Sequence, residues 1–119
     1  MRKVVVLGAS ANPLRFSYKA AIILQQQGFE VVPIGLRKGS IGSLDILTGT
    51  PDIDDIDSLL LYINPDIQNK YYEYILRVGP GTIIFNPGTE NPELAKMARE
   101  KGILVKFDCA INMLQAREF

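Results

Sequence analysis

The stretch VVVLGASANPLRFSYKAA, residues 4–21, decides the fold, because a glycine stands where a buried strand gives way to a helix. The β-branched run KVVVLG, residues 3–8, is typical of a strand covered on both faces. After the turn, apolar residues recur at the spacing of one helix face: Phe16, Ala20, Ile23 and Leu24. Gly28 is placed to end that helix, and FEVVPIG, residues 29–35, follows as a second strand. The stretch therefore predicts a βαβ unit.

The rest of the chain continues the alternation of strands and helices. Three further strands are predicted, SLLLYI (58–63), TIIFN (82–86) and ILVKF (103–107). A helix face between the first two of these consists of Ile67, Tyr71, Tyr74, Ile75 and Val78, and Gly79 ends that helix. Asn91 and Pro92 begin the next helix, which Gly102 ends. The last dozen residues are predicted to form a short helix.

The segment 37–57 is rich in Gly, Ser, Asp and Thr and is predicted to be a loop with one short strand around residues 44–47. Strands that alternate with helices pair in parallel through right-handed crossovers. We therefore predict an α/β fold in which residues 1–119 form a single Rossmann-like three-layer domain, with a mostly parallel sheet of about five strands. In such sheets, ligands bind outside the carboxyl ends of the strands.

Composition excludes several classes of function. Thirteen Lys and Arg balance thirteen Asp and Glu, so charge does not point to nucleic acid or an anionic membrane. No apolar run approaches the ~18 residues of a membrane span. One cysteine and no histidine exclude an internal disulfide and a Cys-built zinc site, so we predict no metal. A soluble cytoplasmic protein is the default expectation.

The turn after the first strand is a candidate anion site. A dinucleotide fingerprint requires glycines at its first, third and sixth positions, but only Gly8 fits, since Ser10 and Pro13 occupy the other two. The turn still opens a helix, whose unpaired N–H groups and dipole favour an anion. Side chains here that supply donors or charge are Ser10, Asn12, Arg15, Ser17 and Lys19. The alternative is that Ser17 caps the helix and that the side chains of Arg15 and Lys19 are solvated.

The turn after the second strand lacks the acid that usually accepts hydrogen bonds from an unphosphorylated ribose. Arg37 and Lys38 stand there instead. Cations in this place suit a ribose that carries a phosphate, which points away from NAD and toward NADP or coenzyme A. The alternative is an exposed basic loop.

Asn-Pro pairs follow three of the predicted strands, at residues 12–13, 64–65 and 86–87. The second pair is explained as a helix start, because Asn caps helices and Pro begins them. The third leaves Asn86, Gly88 and Thr89 for a polar turn able to line a pocket. Cys109 follows the last strand and is interpreted as a small buried apolar residue, since no histidine can activate it.

Together these residues resemble the small stand-alone CoA-binding domain proteins, whose fold is that of the CoA-binding domain of the succinyl-CoA synthetase α subunit. The resemblance spans nearly the whole chain. The segments that carry it are GASANPLRFSYKA (8–20), RKG (37–39), LYINP (61–65), IIFNPGTENPE (83–93) and DCAINML (108–114).

The resemblance implies that coenzyme A lies across the carboxyl edge of the sheet. It assigns to the phosphate region Gly8, Ser10, Asn12, Arg15, Ser17 and Lys19. It places Lys38 near the adenosine end of the coenzyme. It assigns to the lining of the rest of the coenzyme site Asn64, Pro65, Asn86, Pro87 and Gly88. The related ligases react through a phosphohistidine on a further domain and an ATP-grasp partner, and this sequence contains neither, so no self-contained catalysis is expected. The expected partners are CoA or acyl-CoA, and a second copy of the chain or a ligase-type protein.

Two other functions are kept open. A small NADP-dependent oxidoreductase would need a tyrosine assisted by a lysine, but none of the five tyrosines has a lysine four residues later, the spacing that shares a helix face. A Rossmann-like interaction module would use the fold only as a scaffold. Its best candidate surface is the helix KYYEYILRV, residues 70–78.

Overall fold

The computed structural model describes all residues, 1–119. Its strands are β1 (Lys3–Leu7), β2 (Glu30–Ile34), β3 (Ser40–Ile41), β4 (Leu44–Asp45), β5 (Ser58–Leu61), β6 (Thr82–Phe85) and β7 (Leu104–Phe107). Its α-helices are α1 (Phe16–Gln26), α2 (Pro65–Gln68), α3 (Tyr72–Val78), α4 (Pro92–Glu100) and α5 (Ala110–Gln115). A short 3₁₀ turn, Asn69–Tyr71, joins α2 to α3. None of the helices has the length and apolar character that a membrane-spanning segment needs.

Five strands form one parallel sheet in the order β2-β1-β5-β6-β7. The central strand β5 is buried at every position, as expected of a parallel strand with helices on both faces. On one face α3 and α4 cover Leu59, Leu61 and Phe85. On the other face α1 and α5 cover Val6 and Leu60. The predicted three-layer Rossmann-like fold is confirmed.

The sheet has one topological switch point, between β1 and β5. The chain leaves β1 through α1 and returns on one side as β2, and it then crosses back to β5 on the other side of β1. The connections at the carboxyl ends of β1 and β5 therefore diverge, and a crevice opens between them.

Two local predictions need correction. The helix expected from Ile67 to Val78 is divided into α2, the 3₁₀ turn and α3, and the apolar spacing does not reveal the break because Tyr71 and Tyr74 stay buried across it. The segment 37–57 contains two short strands, which pair as an antiparallel hairpin. Two-residue strands are too short to give a period in the sequence. The hairpin is anchored by Ile41, which is fully buried against the α1 side of the sheet.

An ion pair at the amino edge of the sheet makes a pH prediction. Arg2 donates to the Asp57 carboxylate at 2.9 Å, and the Ser58 hydroxyl donates to it at 2.8 Å. The Arg2 hydrogen bond, opposed by partial burial, holds the pKa of Asp57 below its ordinary value of 3.8. Because the pKa of Asp57 is lower in the folded than in the unfolded state, the carboxylate stabilises the protein at any pH above its unfolded-state pKa. This stabilisation is lost as the pH falls through the folded-state pKa.

We therefore expect wild type to be more stable than Asp57→Asn by a constant amount above roughly pH 5 and by a shrinking amount below it. Chemical unfolding followed by circular dichroism from neutral to acid pH, at constant ionic strength, measures the difference. Asp52→Asn, in the exposed pair with Arg77, is the matched control, and it should change acid sensitivity less. A difference between wild type and Asp57→Asn that is independent of pH would refute the linkage.

Candidate functional site

A single open cleft of about 800 Å³ lies at the switch point. Its walls come from the turn after β1, the first turn of α1, the loop after β2, the loop after β5 and the loop after β6. The lining residues are Gly8, Ala9, Ser10, Ala11, Asn12, Arg15, Phe16, Ser17, Leu36, Arg37, Lys38, Tyr62, Ile63, Asn64, Ile67, Pro87 and Thr89. The carboxyl edge of the sheet is thus the place where the predicted ligand edge and the observed cleft coincide.

The turn after β1 is held close to the ends of its neighbouring strands. The N–H groups of Gly8 and Ala9 both donate to the Ile34 carbonyl oxygen, at 2.8 and 2.9 Å. Gly8 has a φ of 101°, in the region that favours glycine. A Cβ at this position would lie 2.9 Å from the carbonyl carbon of Tyr62, so a side chain here has no room. Only a glycine lets the chain pass this closely over the end of β5.

Two polar side chains shape the same turn. The Ser10 hydroxyl oxygen accepts from the Asn12 N–H at 3.1 Å, and the Asn12 amide oxygen accepts from the Leu14 N–H at 3.0 Å. Both contacts use acceptor capacity only. The Ser10 O–H and the Asn12 amide N–H groups are therefore left to donate to a ligand in the cleft.

The first turn of α1 faces the cleft without a side-chain cap. Arg15 occupies the N-cap position, and Ser17 is a buried residue within the helix, so the alternative that Ser17 caps α1 is wrong. The N–H groups of Phe16 and Ser17 have no acceptor in the protein. Unpaired N–H groups at the positive end of an 11-residue helix favour an anion at this position.

The charge of the cleft is one-sided. Three cations line it, Arg15, Arg37 and Lys38, and no acidic residue does. The two salt bridges of the protein, Arg2–Asp57 and Arg77–Asp52, leave these three cations without a carboxylate partner. A chain with no net charge therefore presents a locally positive cleft.

Apolar side chains form the rest of the wall. Phe16 and Leu36 are largely exposed at the rim, while Ile63 is buried at the floor. Tyr62 also lines the cleft, and its hydroxyl is buried without a hydrogen-bond partner. Burial raises the pKa of Tyr62 far above its ordinary value, with a smaller contribution from Cys109. Tyr62 is therefore a neutral phenol that gives up its proton poorly.

The cleft brings together eight of the twelve residues that the sequence proposed for the site: Gly8, Ser10, Asn12, Arg15, Ser17, Lys38, Asn64 and Pro87. The other four do not line it. Lys19 lies on the exposed side of α1, with its ammonium group 5.5 Å from the centre of the Phe16 ring. Pro65 is the first residue of α2, and Gly88 donates its N–H to the Glu90 carboxylate. Asn86 is buried, and its side-chain amide is hydrogen-bonded to backbone groups of the protein.

The sequence reasoning missed most of the apolar lining, because it gave Phe16 and Ile67 only a place on a helix face, and Tyr62 and Ile63 only a place in a strand. The missed residues are Ala9, Ala11, Phe16, Leu36, Tyr62, Ile63, Ile67 and Thr89, of which Thr89 had been noted only as part of a polar turn. The available signal was position. Leu36, Tyr62 and Ile63 each come directly after a buried run, where side chains reach the ligand edge of a parallel sheet.

The fold and the cleft define a Rossmann-like α/β protein with a cationic, acid-free cleft at its switch point. The model of a protein family described as "CoA binding domain" matches residues 2–115. The chain belongs to this family, as the resemblance predicted.

Solved structures share the fold of this chain. A crystal structure of an uncharacterized protein is 41% identical, with a TM-score of 0.97, over 100% of this chain and 98% of the other. A protein from Thermus thermophilus is 24% identical with a TM-score of 0.87, over 99% and 90% of the two chains. A hypothetical protein from Pyrococcus horikoshii OT3 is 24% identical with a TM-score of 0.86, over 98% and 82%. The last two likenesses concern the fold alone.

Proposed function

We propose that the chain binds coenzyme A, free or acylated, in the cleft at the switch point and carries no catalytic machinery of its own. The observation that carries the proposal is the cationic, acid-free lining beside the uncapped N-terminus of α1. Coenzyme A is a polyanion with phosphate groups at two separate places, and the cleft offers cations at two separate places. Membership of the CoA-binding domain family supports the same ligand.

The two groups of cations suggest an orientation for the ligand. The pyrophosphate sits over the turn after β1, where the Ser10 hydroxyl, the α1 N–H groups and Arg15 converge on the cleft. The 3′-phosphate of the adenosine lies toward Lys38 on the β2 side. The pantetheine arm then extends the other way, over the ends of β5 and β6, where Ile63, Ile67 and Thr89 form the wall.

An NADP-dependent oxidoreductase is less well supported. A proton donor for hydride chemistry would have to reach the cleft, and Tyr62 is the tyrosine that lines it. The raised pKa of Tyr62 makes that hydroxyl a weak acid. The tyrosines of the segment 70–78 do not line the cleft: Tyr74 donates its hydroxyl to the Pro51 carbonyl oxygen, and Tyr72 accepts from Asn91 beside α4.

The proposal extends to the whole chain. We treat residues 1–119 as one CoA-binding domain in the cytoplasm, where a lone unpaired cysteine is typical of reducing conditions. Any chemistry on the bound ligand is supplied by a partner, either a second copy or a ligase-type protein.

Calorimetric titration with CoA and with dephospho-CoA tests the ligand and its orientation together. Lys38→Ala should weaken CoA binding about tenfold, because a charge-assisted contact to the 3′-phosphate is lost. The same variant should bind dephospho-CoA as wild type does, since that ligand lacks the 3′-phosphate. Arg15→Ala should weaken both ligands to a similar degree, because both carry the pyrophosphate.

Lys101→Ala is the matched control for these variants. Lys101 is an exposed lysine that precedes β7, at the amino edge of the sheet and away from the cleft. It should leave both affinities unchanged. Wild type that shows no saturable CoA binding, or that binds NADP more tightly than CoA, would overturn the proposal.

A further inference from the structure

A buried glutamine at the end of α2 joins two walls of the cleft. Gln68 is fully buried, and its amide nitrogen donates to the Ile63 carbonyl oxygen at 2.9 Å and to the Thr89 carbonyl oxygen at 2.7 Å. Ile63 belongs to the loop after β5 and Thr89 to the loop after β6, and both residues line the cleft. One side chain therefore spans the two loops that the pantetheine arm is proposed to cross.

The glutamine amide is fixed from its other end as well. Its oxygen accepts from the Asn91 amide nitrogen at 3.0 Å. That nitrogen also donates to the Tyr72 hydroxyl at 2.7 Å, while the Asn91 amide oxygen caps α4 by accepting from the Leu94 N–H at 3.1 Å. Because Asn91 is held by α4, the Gln68 amide has one defined orientation, and both of its donors point at carbonyl groups.

The Gln68 side chain connects the two loops beyond the point where the backbone pairing of β5 and β6 ends. The β5–β6 ladder ends at the pair Leu61 and Phe85. Beyond it, the Asn86 side chain donates to the Leu61 carbonyl oxygen at 3.0 Å, and the Gln68 side chain makes the next link. Two amide side chains thus continue the pairing of β5 and β6 past the end of the strands, up to the cleft.

We infer that Gln68 is a positioning residue that sets the separation of the β5 and β6 loops and thereby the affinity for the pantetheine arm, without touching the ligand. The inference rests on the proposed function. The phosphate turn after β1 is held by separate contacts, from Gly8 and Ala9 to Ile34, so the nucleotide half of the site does not depend on the glutamine.

The test compares two ligands on Gln68→Met, a variant of similar length that has no donors. CoA contains the pantetheine arm, and adenosine 3′,5′-bisphosphate keeps the nucleotide end but lacks the arm. Calorimetry should give about a tenfold loss of CoA affinity, because both loops lose their hydrogen bond to the glutamine, and a change below about twofold for the bisphosphate. Gln26→Met, at an exposed position of α1, should change neither affinity.

Asn91→Ser provides a second variant in case Gln68→Met folds poorly. Serine still caps α4 but cannot hold the Gln68 amide oxygen, so a smaller loss confined to CoA is expected. Equal losses of affinity for both ligands, or no loss for either, would overturn the positioning role of Gln68. The proposed function would still stand in that case, provided that wild type binds CoA. Wild type that fails to bind CoA overturns both.

Discussion

Gly8→Ala is expected to lower the free energy of unfolding by about 3 kcal/mol and to weaken CoA binding at the same time. The substituted residue would have to keep a φ of 101° while its Cβ lies 2.9 Å from the carbonyl carbon of Tyr62. The turn cannot move away freely, because the Gly8 N–H is bonded to Ile34. Urea unfolding followed by circular dichroism measures the stability, and calorimetry measures the affinity.

Gly49→Ala separates the two causes of this loss. Gly49 also has a positive φ, 77°, but a Cβ there would meet no atom within 4 Å. Gly49→Ala should therefore lower the free energy of unfolding by only about 1 kcal/mol, the effect of the backbone conformation alone, and it should leave CoA binding unchanged. Equal losses of unfolding free energy in the two variants would mean that the close approach of Gly8 to the end of β5 does not add to the effect of Gly8→Ala.

Asn86→Leu is expected to destabilise the protein by about 3 kcal/mol. The Asn86 amide donates to the Leu61 carbonyl oxygen at 3.0 Å and accepts from the Ala110 N–H at 2.9 Å, so it ties the end of β5 to the start of α5. Leucine has a similar size but leaves both backbone groups buried and unpaired. The variant should lose stability in urea although its apolar surface has increased.

Asn112→Leu is the control for that substitution, because Asn112 is exposed on α5. Its stability should stay within about 0.5 kcal/mol of wild type. If Asn86→Leu were as mild as this control, the amide would not be the link between the two elements.

The layered fold was predictable because burial on both faces leaves a plain pattern. Residues 4–7 and 59–61 are continuous apolar runs, the pattern typical of strands in the middle of a parallel sheet that helices cover on both faces. The hairpin of β3 and β4 was not predictable, since its strands contribute two residues each. It is fixed by tertiary contacts, such as the hydrogen bond from Gln25 to Ser43 at 3.1 Å.

For the site, sequence could name the residues on the ligand edge but not the direction of their side chains. Asn12 and Asn86 both precede a proline and both follow a strand, yet the first lines the cleft and the second is buried beneath it. The difference depends on how far the loop after each strand extends over its neighbours. Gln68 gave no signal at all, because a polar residue in a helix is normally exposed.

The one-sided charge of the cleft bears on how a ligand arrives. The chain has no net charge, so it exerts no overall pull on a distant anion. Its charges are nevertheless unevenly distributed, since Asp54 and Asp57 lie near the starts of β1 and β5, beside Lys3 and Arg2, while the cleft with its three cations opens at the opposite ends. The resulting field fades over about 8 Å in physiological salt. The positive charge of the cleft therefore acts on an anion only close to the mouth of the cleft, whatever the net charge of the chain.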